Sequence, residues 1–243
     1  MSYDPLNSSS QNPSSRAARA GEVIDAGLQS YMQSVYRTMS WGLGVTGLTA
    51  YAVANVPVLS NLLIHTGFSF VVMLASLGFL LYGFRPSRIA QVPAESLRTT
   101  FIIFSVLMGL LLSVVFEVYT GASIARVFFI TAATFAGTSL YGYTTKSDLT
   151  SVGSFMRMGL FGIVIAGFVN IFMMSAMVYF VTSIIGVVVF TGLTAWETQS
   201  LKNVYREGDS EANAKQAVLG ALNLYMNFIN LFQMFLSLSG DRK

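Results

Sequence analysis

One acidic side chain in this sequence lies where ordinary hydration cannot serve it. Glu197 stands near the end of a long apolar run, in Thr194-Ala195-Trp196-Glu197-Thr198-Gln199, whereas the aspartates all fall in tails or loops. Farther on, Ala221-Leu222-Asn223-Leu224-Tyr225-Met226-Asn227-Phe228-Ile229-Asn230-Leu231-Phe232 spaces Asn223, Asn227 and Asn230 four and three apart. On a helix they fall within about 60° of one another, one polar stripe in an apolar element. Thr191, Thr194 and Glu197 repeat at similar spacing on the preceding element, and two such stripes side by side make a wet seam. An ionised acid at membrane depth costs about 2.5–3.5 kcal/mol on insertion scales, so it turns inward to a partner. Asn227 and one of Arg85 or Arg88 are the candidate partners of Glu197, with Asn223, Asn230 and Thr194 completing an ion or proton path. The competing reading has Glu197 snorkelling to water and the asparagines only joining helices.

Other chemistries lack their residues. Asp4, Asp25, Asp148, Asp209 and Asp241 supply no intramembrane pair for an aspartyl protease, and the single His65 cannot build a His-Glu-x-x-His zinc site. The last apolar run holds no lysine for a retinal Schiff base, and no glycine-rich phosphate loop follows a strand. The chain is therefore expected not to be an enzyme and to carry no cofactor or resident metal. Calcium ligation takes six to eight oxygens, and one carboxylate with a few amides falls short of that without water. Zero cysteines exclude disulfides and thiolate metal sites.

The elements that position these residues are written in the charge pattern. Five stretches carry no formal charge: Thr38 to Phe84 (47 residues), Thr99 to Phe116 (18), Val127 to Thr145 (19), Met158 to Trp196 (39) and Gln216 to Gly240 (25). A bilayer core takes roughly 20 apolar helical residues, so the two long stretches fold back once each and the others cross once. That reading predicts an all-α polytopic protein of seven transmembrane helices, near 38–55, 65–84, 99–118, 124–143, 153–173, 177–199 and the final run. Composition agrees: 53% hydrophobic, 10% charged and mean hydropathy +0.62 describe a chain solvated by lipid.

The net charge of +3 and pI of 9.2 do not point to nucleic acid, because the basic residues are scattered between spans and form no stripe. They set topology instead. With the N-terminus cytoplasmic, Arg16, Arg19, Arg37, Arg85, Arg88, Arg98, Lys146, Arg157, Lys202, Arg206 and Lys215 lie inside, against Arg126, Arg242 and Lys243 outside. An odd number of spans then puts the C-terminus outside. Residues 1–20, polar and proline-containing, are expected as a disordered cytoplasmic tail, with 21–243 as one membrane domain.

Within that domain, Val23/Ile24, Gly27/Leu28, Tyr31/Met32 and Val35/Tyr36 repeat every four residues and predict an interfacial helix feeding the first span; a partner-binding helix is the alternative. Asn55-Val56-Pro57 with Ser60-Asn61 is expected to turn the chain, and Tyr205 to Lys215 to form a hydrophilic loop. Glu117 and Arg126 flank Thr120-Gly121-Ala122 and are read as two solvated rim charges, with an external ion pair between them as the alternative. One geometric condition attaches to the seam. Asn227 lies some eleven residues, roughly 16 Å at helical rise, past the start of its uncharged run, so it meets Glu197 only if the final helix starts below the membrane surface or its predecessor extends past Gln199.

Several blocks, in order, resemble the Bax inhibitor family (transmembrane Bax-inhibitor motif), and its bacterial inner-membrane branch most of all. They are Gly27-Leu28-Gln29-Ser30-Tyr31-Met32, Ser139 to Leu149 (Ser-Leu-Tyr-Gly-Tyr-Thr-Thr-Lys-Ser-Asp-Leu), Gly192 to Gln199 and Leu224 to Phe232. The resemblance implies a central span wrapped by the others and, for characterised members, a pH-sensitive calcium leak. It implies a proton-sharing pair of aspartates on spans six and seven working with an arginine on span two, onto which Arg85 and Arg88 fit equally well. It also implies an interaction role for some bacterial relatives, with a membrane protease as partner. This chain departs from the pattern at both acidic positions, with Glu197 in Trp196-Glu197-Thr198-Gln199 where the family reads Tyr-Asp-Thr-Gln, and Asn227 in place of the second aspartate. Two carboxylates in contact cannot both ionise easily, which makes a pH switch; a carboxylate beside an amide has no such coupling.

Overall fold

A computed structural model describes residues 13–243, all of whose regular elements are helices: α1 (Pro13–Ala54), α2 (Pro57–His65), α3 (Phe68–Gly83), α4 (Pro86–Gln91), α5 (Ala94–Leu112), α6 (Val115–Val118), α7 (Gly121–Thr144), α8 (Thr150–Met173), α9 (Ala176–Val204) and α10 (Ser210–Ser239). The expected tail at 1–20 falls outside the described residues as far as residue 12, and α1 takes in 13–20.

The architecture is all-α and polytopic. Five units have the length and hydropathy to cross a membrane: Ala94–Val118, Gly121–Thr144, Thr150–Met173, Ala176–Val204 and Ser210–Ser239. Ala26–Ala54 with Pro57–Leu63 qualifies as a sixth, bent by 101°. The expected count of seven is not reached on these criteria, because the 47-residue uncharged stretch divides three ways rather than two. Pro57 opens α2 where its missing N–H costs no helical hydrogen bond, and Gly67, left-handed at φ 71°, breaks the chain again. α3 is left with 16 residues, about 24 Å at helical rise.

Other boundaries follow local chemistry. Ser175 and Thr120 accept hydrogen bonds from the third residue beyond them, Val178 N at 3.4 Å and Ser123 N at 3.3 Å, and so open α9 and α7. The α8–α9 connection is as short as the charge pattern requires: Met174 adopts φ 49° and the Asn170 side chain accepts from Ser175 N at 2.9 Å. α10 begins earlier than the expected loop allows, because Asp209 caps Ala212 N at 2.9 Å.

α10 is the central helix: 61% of its apolar window is buried, against 28% for α5, α7 and α9 and 6% for α8. It packs on α9, α1, α7 and α5, while α8 leans on α9 and α3 on α5. Lipid offers no hydrophobic drive between helices, so close packing and polar contacts hold the bundle. Tyr225 receives the edges of Phe101 and Phe104 at ring separations of 5.3 and 6.2 Å, and Phe228 those of Phe135 and Phe128 at 5.5 and 5.6 Å. Among the described residues no separate interfacial helix precedes the first span. α1 runs unbroken, and Tyr31, Met32 and Val35 of the apolar stripe are buried in the bundle core, Tyr31 against the ring of Tyr205.

Both ends of α10 are tied down. At one end Asn213 exchanges hydrogen bonds with the Arg206 backbone (2.6 and 3.0 Å) and Glu211 accepts from Ala94 N at 2.9 Å. At the other, Thr120 N donates to Asp241 O (3.0 Å), Asp241 N to Ser123 Oγ (2.9 Å) and Lys243 N to Val118 O (3.0 Å). Arg126 pairs there with Asp241 at 3.0 Å, and Glu117 makes no ion pair among the described residues.

Candidate functional site

Each residue of Trp196-Glu197-Thr198-Gln199 faces a different neighbour, because consecutive helical positions turn by about 100°. Trp196 lies on Gly153 of α8, where a side chain would strike its indole, and carries the Arg157 guanidinium 4.6 Å above its ring. Thr198, fully buried, bonds Ser139 Oγ of α7 at 3.0 Å, and Ser139 bonds Tyr36 OH of α1 at 2.6 Å. Gln199 donates to Ser147 O at 2.7 Å and accepts from Leu149 N at 2.8 Å, pinning the loop before α8. In that loop Asp148 is exposed and accepts from Thr150 Oγ1 (2.6 Å) and Thr150 N (2.9 Å); these bonds hold its carboxyl below the usual pKa.

Glu197 remains, and its Oε2 is occluded with no hydrogen-bond partner. Asn227 Nδ2 on α10 and Thr191 Oγ1 on α9 are in the same condition. Thr194 is fully buried and satisfies itself on Phe190 O at 2.7 Å. The asparagines do not share one environment: Asn227 is buried, Asn230 half-buried and Asn223 exposed.

The α9–α10 hairpin sets their depths. Leu201 fills the space over Gly220, Met234 that over Gly186, and Ser183 Oγ meets Ser237 Oγ at 2.8 Å. In this antiparallel register Glu197 is level with Asn223 and Leu224, and Asn227 with Leu193 and Thr194, so the two are offset by about one turn, ~5 Å. α9 extends past Gln199 to Val204, one of the two conditions under which the sequence allowed them to approach.

The candidate arginines lie apart from this pair. Arg85 is exposed over the Tyr82 ring at 4.7 Å, and Arg88 reaches Thr100 Oγ1 of α5 at 3.5 Å. The guanidinium placed next to this segment is that of Arg157 of α8, over the ring of Trp196 beside Glu197. Sequence reading singled out neither Arg157 nor the hydroxyl chain through Tyr36 and Ser139, although Ser139 opens one of the resemblance blocks. A second buried bridge joins α1 to α10, where Thr46 Oγ1 bonds Tyr225 OH at 2.6 Å and donates to Ser105 O of α5 at 2.9 Å. A groove of about 600 Å³ lies between α1 and α7, and Tyr36 and Ser139 stand in its wall beside Gln29, Gln33 and Phe228. Among the described residues no three His, Cys, Asp or Glu side chains converge as a metal site.

Comparison with known proteins agrees with the family resemblance of these blocks. The family model described as inhibitor of apoptosis-promoting Bax1 matches residues 28–243. The chain is 42% identical to inner membrane protein YbhL of Escherichia coli K12 over 94% of its own length and 99% of the relative's. It is 41% identical to a Rickettsia prowazekii protein over 91% and 94%, and 31% identical to a membrane protein of Streptococcus pyogenes serotype M1 over 89% and 94%. Its apolar helices and its likeness to YbhL make it a multi-pass inner membrane protein. A match over nearly the whole chain, on a bundle built about one central helix, places this protein in the Bax inhibitor family.

Proposed function

We propose that this protein is a non-enzymatic cation leak of the inner membrane, with Glu197 as the site that takes up a proton or meets the passing ion. The supporting observation is that three of the four occluded, unsatisfied side-chain polar atoms among the described residues, Glu197 Oε2, Asn227 Nδ2 and Thr191 Oγ1, lie on the two most extensively packed helices, the fourth being Tyr31 OH on α1. Each unpaired polar group in a lipid-solvated bundle carries a cost of order kcal/mol, and intramembrane acids mark ion or proton routes. Asn227 supplies an amide one turn deeper than the carboxylate, so a cation leaving Glu197 meets the Asn227 carbonyl oxygen and not a second charge. Water completes its coordination. The positive-inside bias favours an orientation with the N-terminus, Arg37 and Arg98 toward the cytoplasm.

The test is calcium flux into liposomes holding the purified protein, measured at several pH values. Flux above that of empty liposomes is expected, with a drop of about tenfold in Glu197→Gln and a sharpened pH dependence in Asn227→Asp. Flux no greater than in empty liposomes overturns conduction, and an unchanged pH profile in Asn227→Asp removes Asn227 from the path. A second reading, restraint of another membrane protein such as a membrane protease, draws on α8. Its outer face exposes Phe155, Phe161, Phe168 and Phe172, and among the described residues only α9 packs extensively against it. Co-purification of a membrane protease lost on substituting those four residues, with flux unaffected, selects this reading over the first.

A further inference from the structure

At the end of the bundle that bears most of the basic residues, α1 and α5 run side by side and leave a notch of about 210 Å³ lined by Arg37, Thr38, Trp41, Arg98 and Ile102. The spacing is that of two helical faces: positions 37, 38 and 41 of α1 confront 98 and 102 of α5. Their approach is set one residue beyond Trp41. Gly42 lies against Phe101 and Ser105, where a Cβ would come within 2.6 Å of the Phe101 ring, so the helices are in near contact just below the notch and the notch keeps its width.

Its charges are largely uncommitted. Arg37 is exposed and makes no ion pair among the described residues. Arg98 gives one nitrogen, Nη1, to Glu95 at 3.3 Å, and Glu95 is 79% exposed, so that contact is a water-screened rim pair. The remaining guanidinium edge is available. Trp41, 69% exposed, stands between the two arginines and the apolar face of the bundle, as interfacial tryptophans do. Beyond it that face continues along α1 through Leu48 and Tyr51 and along α5 through Ile103 and Val106, all exposed.

We infer that this notch binds the phosphate of an anionic phospholipid, held by Arg37 and Arg98, with its acyl chains laid along Trp41, Leu48 and Ile103. Planar guanidinium groups suit phosphate oxygens, and basic pockets between transmembrane helices near a membrane surface collect anionic headgroups. A soluble anion gains nothing from the apolar track beneath the arginines; a lipid occupies both parts at once. Zwitterionic lipid brings the same tails with a compensating cation, so selection falls on headgroup charge.

Trp41 supplies the readout. The chain has two tryptophans, so full-length protein carrying Trp196→Phe reports from Trp41 alone. It is reconstituted in phosphatidylcholine bilayers containing a minor fraction of either brominated-tail phosphatidylglycerol or brominated-tail phosphatidylcholine, and fluorescence quenching gives the relative occupancy. Phosphatidylglycerol is expected to be preferred about thirtyfold, at roughly 1 kcal/mol for each of the two arginines. The preference should fall within about twofold in Arg37→Gln/Arg98→Gln, persist in large part in Arg37→Lys/Arg98→Lys, and survive Arg85→Gln, a cation outside the notch. Equal quenching by the two lipids overturns the inference, as does a preference retained by the double glutamine variant. Inorganic phosphate that abolishes the preference beyond the effect of equal ionic strength overturns it in favour of a free-anion site. Because the lysine pair preserves charge at the same positions, its behaviour separates loss of lipid selection from loss of folding.

Discussion

Gly142→Ala should loosen the α7–α9 interface that carries the Glu197 segment. A Cβ at position 142 meets the backbone of Ala195, coming within 2.9 Å of its carbonyl carbon and 3.0 Å of its Cα, with the carbonyl oxygen nearer still. Ordinary contact begins near 3.4 Å, and backbone atoms cannot rotate aside, so the helices must separate by several tenths of an ångström or more. Overpacking of this kind costs about 1–3 kcal/mol. The separation also stretches the Ser139–Thr198 hydrogen bond, 3.0 Å long and one turn away, and interhelical bonds in membranes are worth about 0.6 kcal/mol on average. Helix propensity returns up to about 1 kcal/mol for replacing glycine by alanine, leaving a net destabilisation of about 2 kcal/mol. Gly137→Ala on the same helix is the control, because a Cβ there meets nothing within 4 Å and only the propensity gain applies. Equilibrium unfolding of both variants in mixed micelles measures the difference. If Gly142→Ala unfolds with the same midpoint as Gly137→Ala, close backbone approach does not hold α7 against α9 and the packing account of this interface fails.

Two smaller predictions concern polar groups. A double-mutant cycle with Tyr225→Phe and Thr46→Val should return a coupling of about 0.6 kcal/mol and no more than about 1.7, because one buried hydroxyl pair joins α1 to α10; zero coupling would mean that Thr46 is satisfied entirely by Ser105 O. Asp148, whose pKa is lowered by hydrogen bonds from Thr150, should order the start of α8 fully above the ordinary carboxylate pKa and lose that effect as pH falls through its depressed value. Hydrogen exchange of residues 148–152, corrected for intrinsic rate, should therefore quicken as the pH falls below the ordinary aspartate value of about 4 in the native protein and stay level in Asp148→Asn; parallel behaviour of the two excludes the carboxylate as the cause.

The charge-free runs disclosed most of the bundle because a charge in lipid is costly whatever the tertiary context. They misled at Thr38 to Phe84, where run length says nothing about breaks made by one proline and one left-handed glycine inside it. The apolar stripe at Tyr31, Met32 and Val35 was legible as a stripe, but a bilayer surface and a neighbouring helix select the same periodicity. Likewise the asparagine spacing marks an arc and not what faces it: Asn227 points into the bundle while Asn223, inside the same arc but one turn nearer the start of the helix, is exposed. The partners of Arg126 and Arg157 lie 115 and 39 residues away in sequence, and such pairings emerge only from the packing order of the helices.

The two moorings of α10 have a mechanical corollary. A shaft seated in bearings at both ends can neither slide nor turn alone: an axial slip of one residue, about 1.5 Å, strains the Glu211–Ala94 and Asn213–Arg206 bonds at one seat and the Asp241–Thr120 and Lys243–Val118 bonds at the other. Asn227 thus keeps a constant height, like a mark on a fixed axle. Any rearrangement around it is left to the helices that surround the axle, of which α8, on the outside, rests on α9.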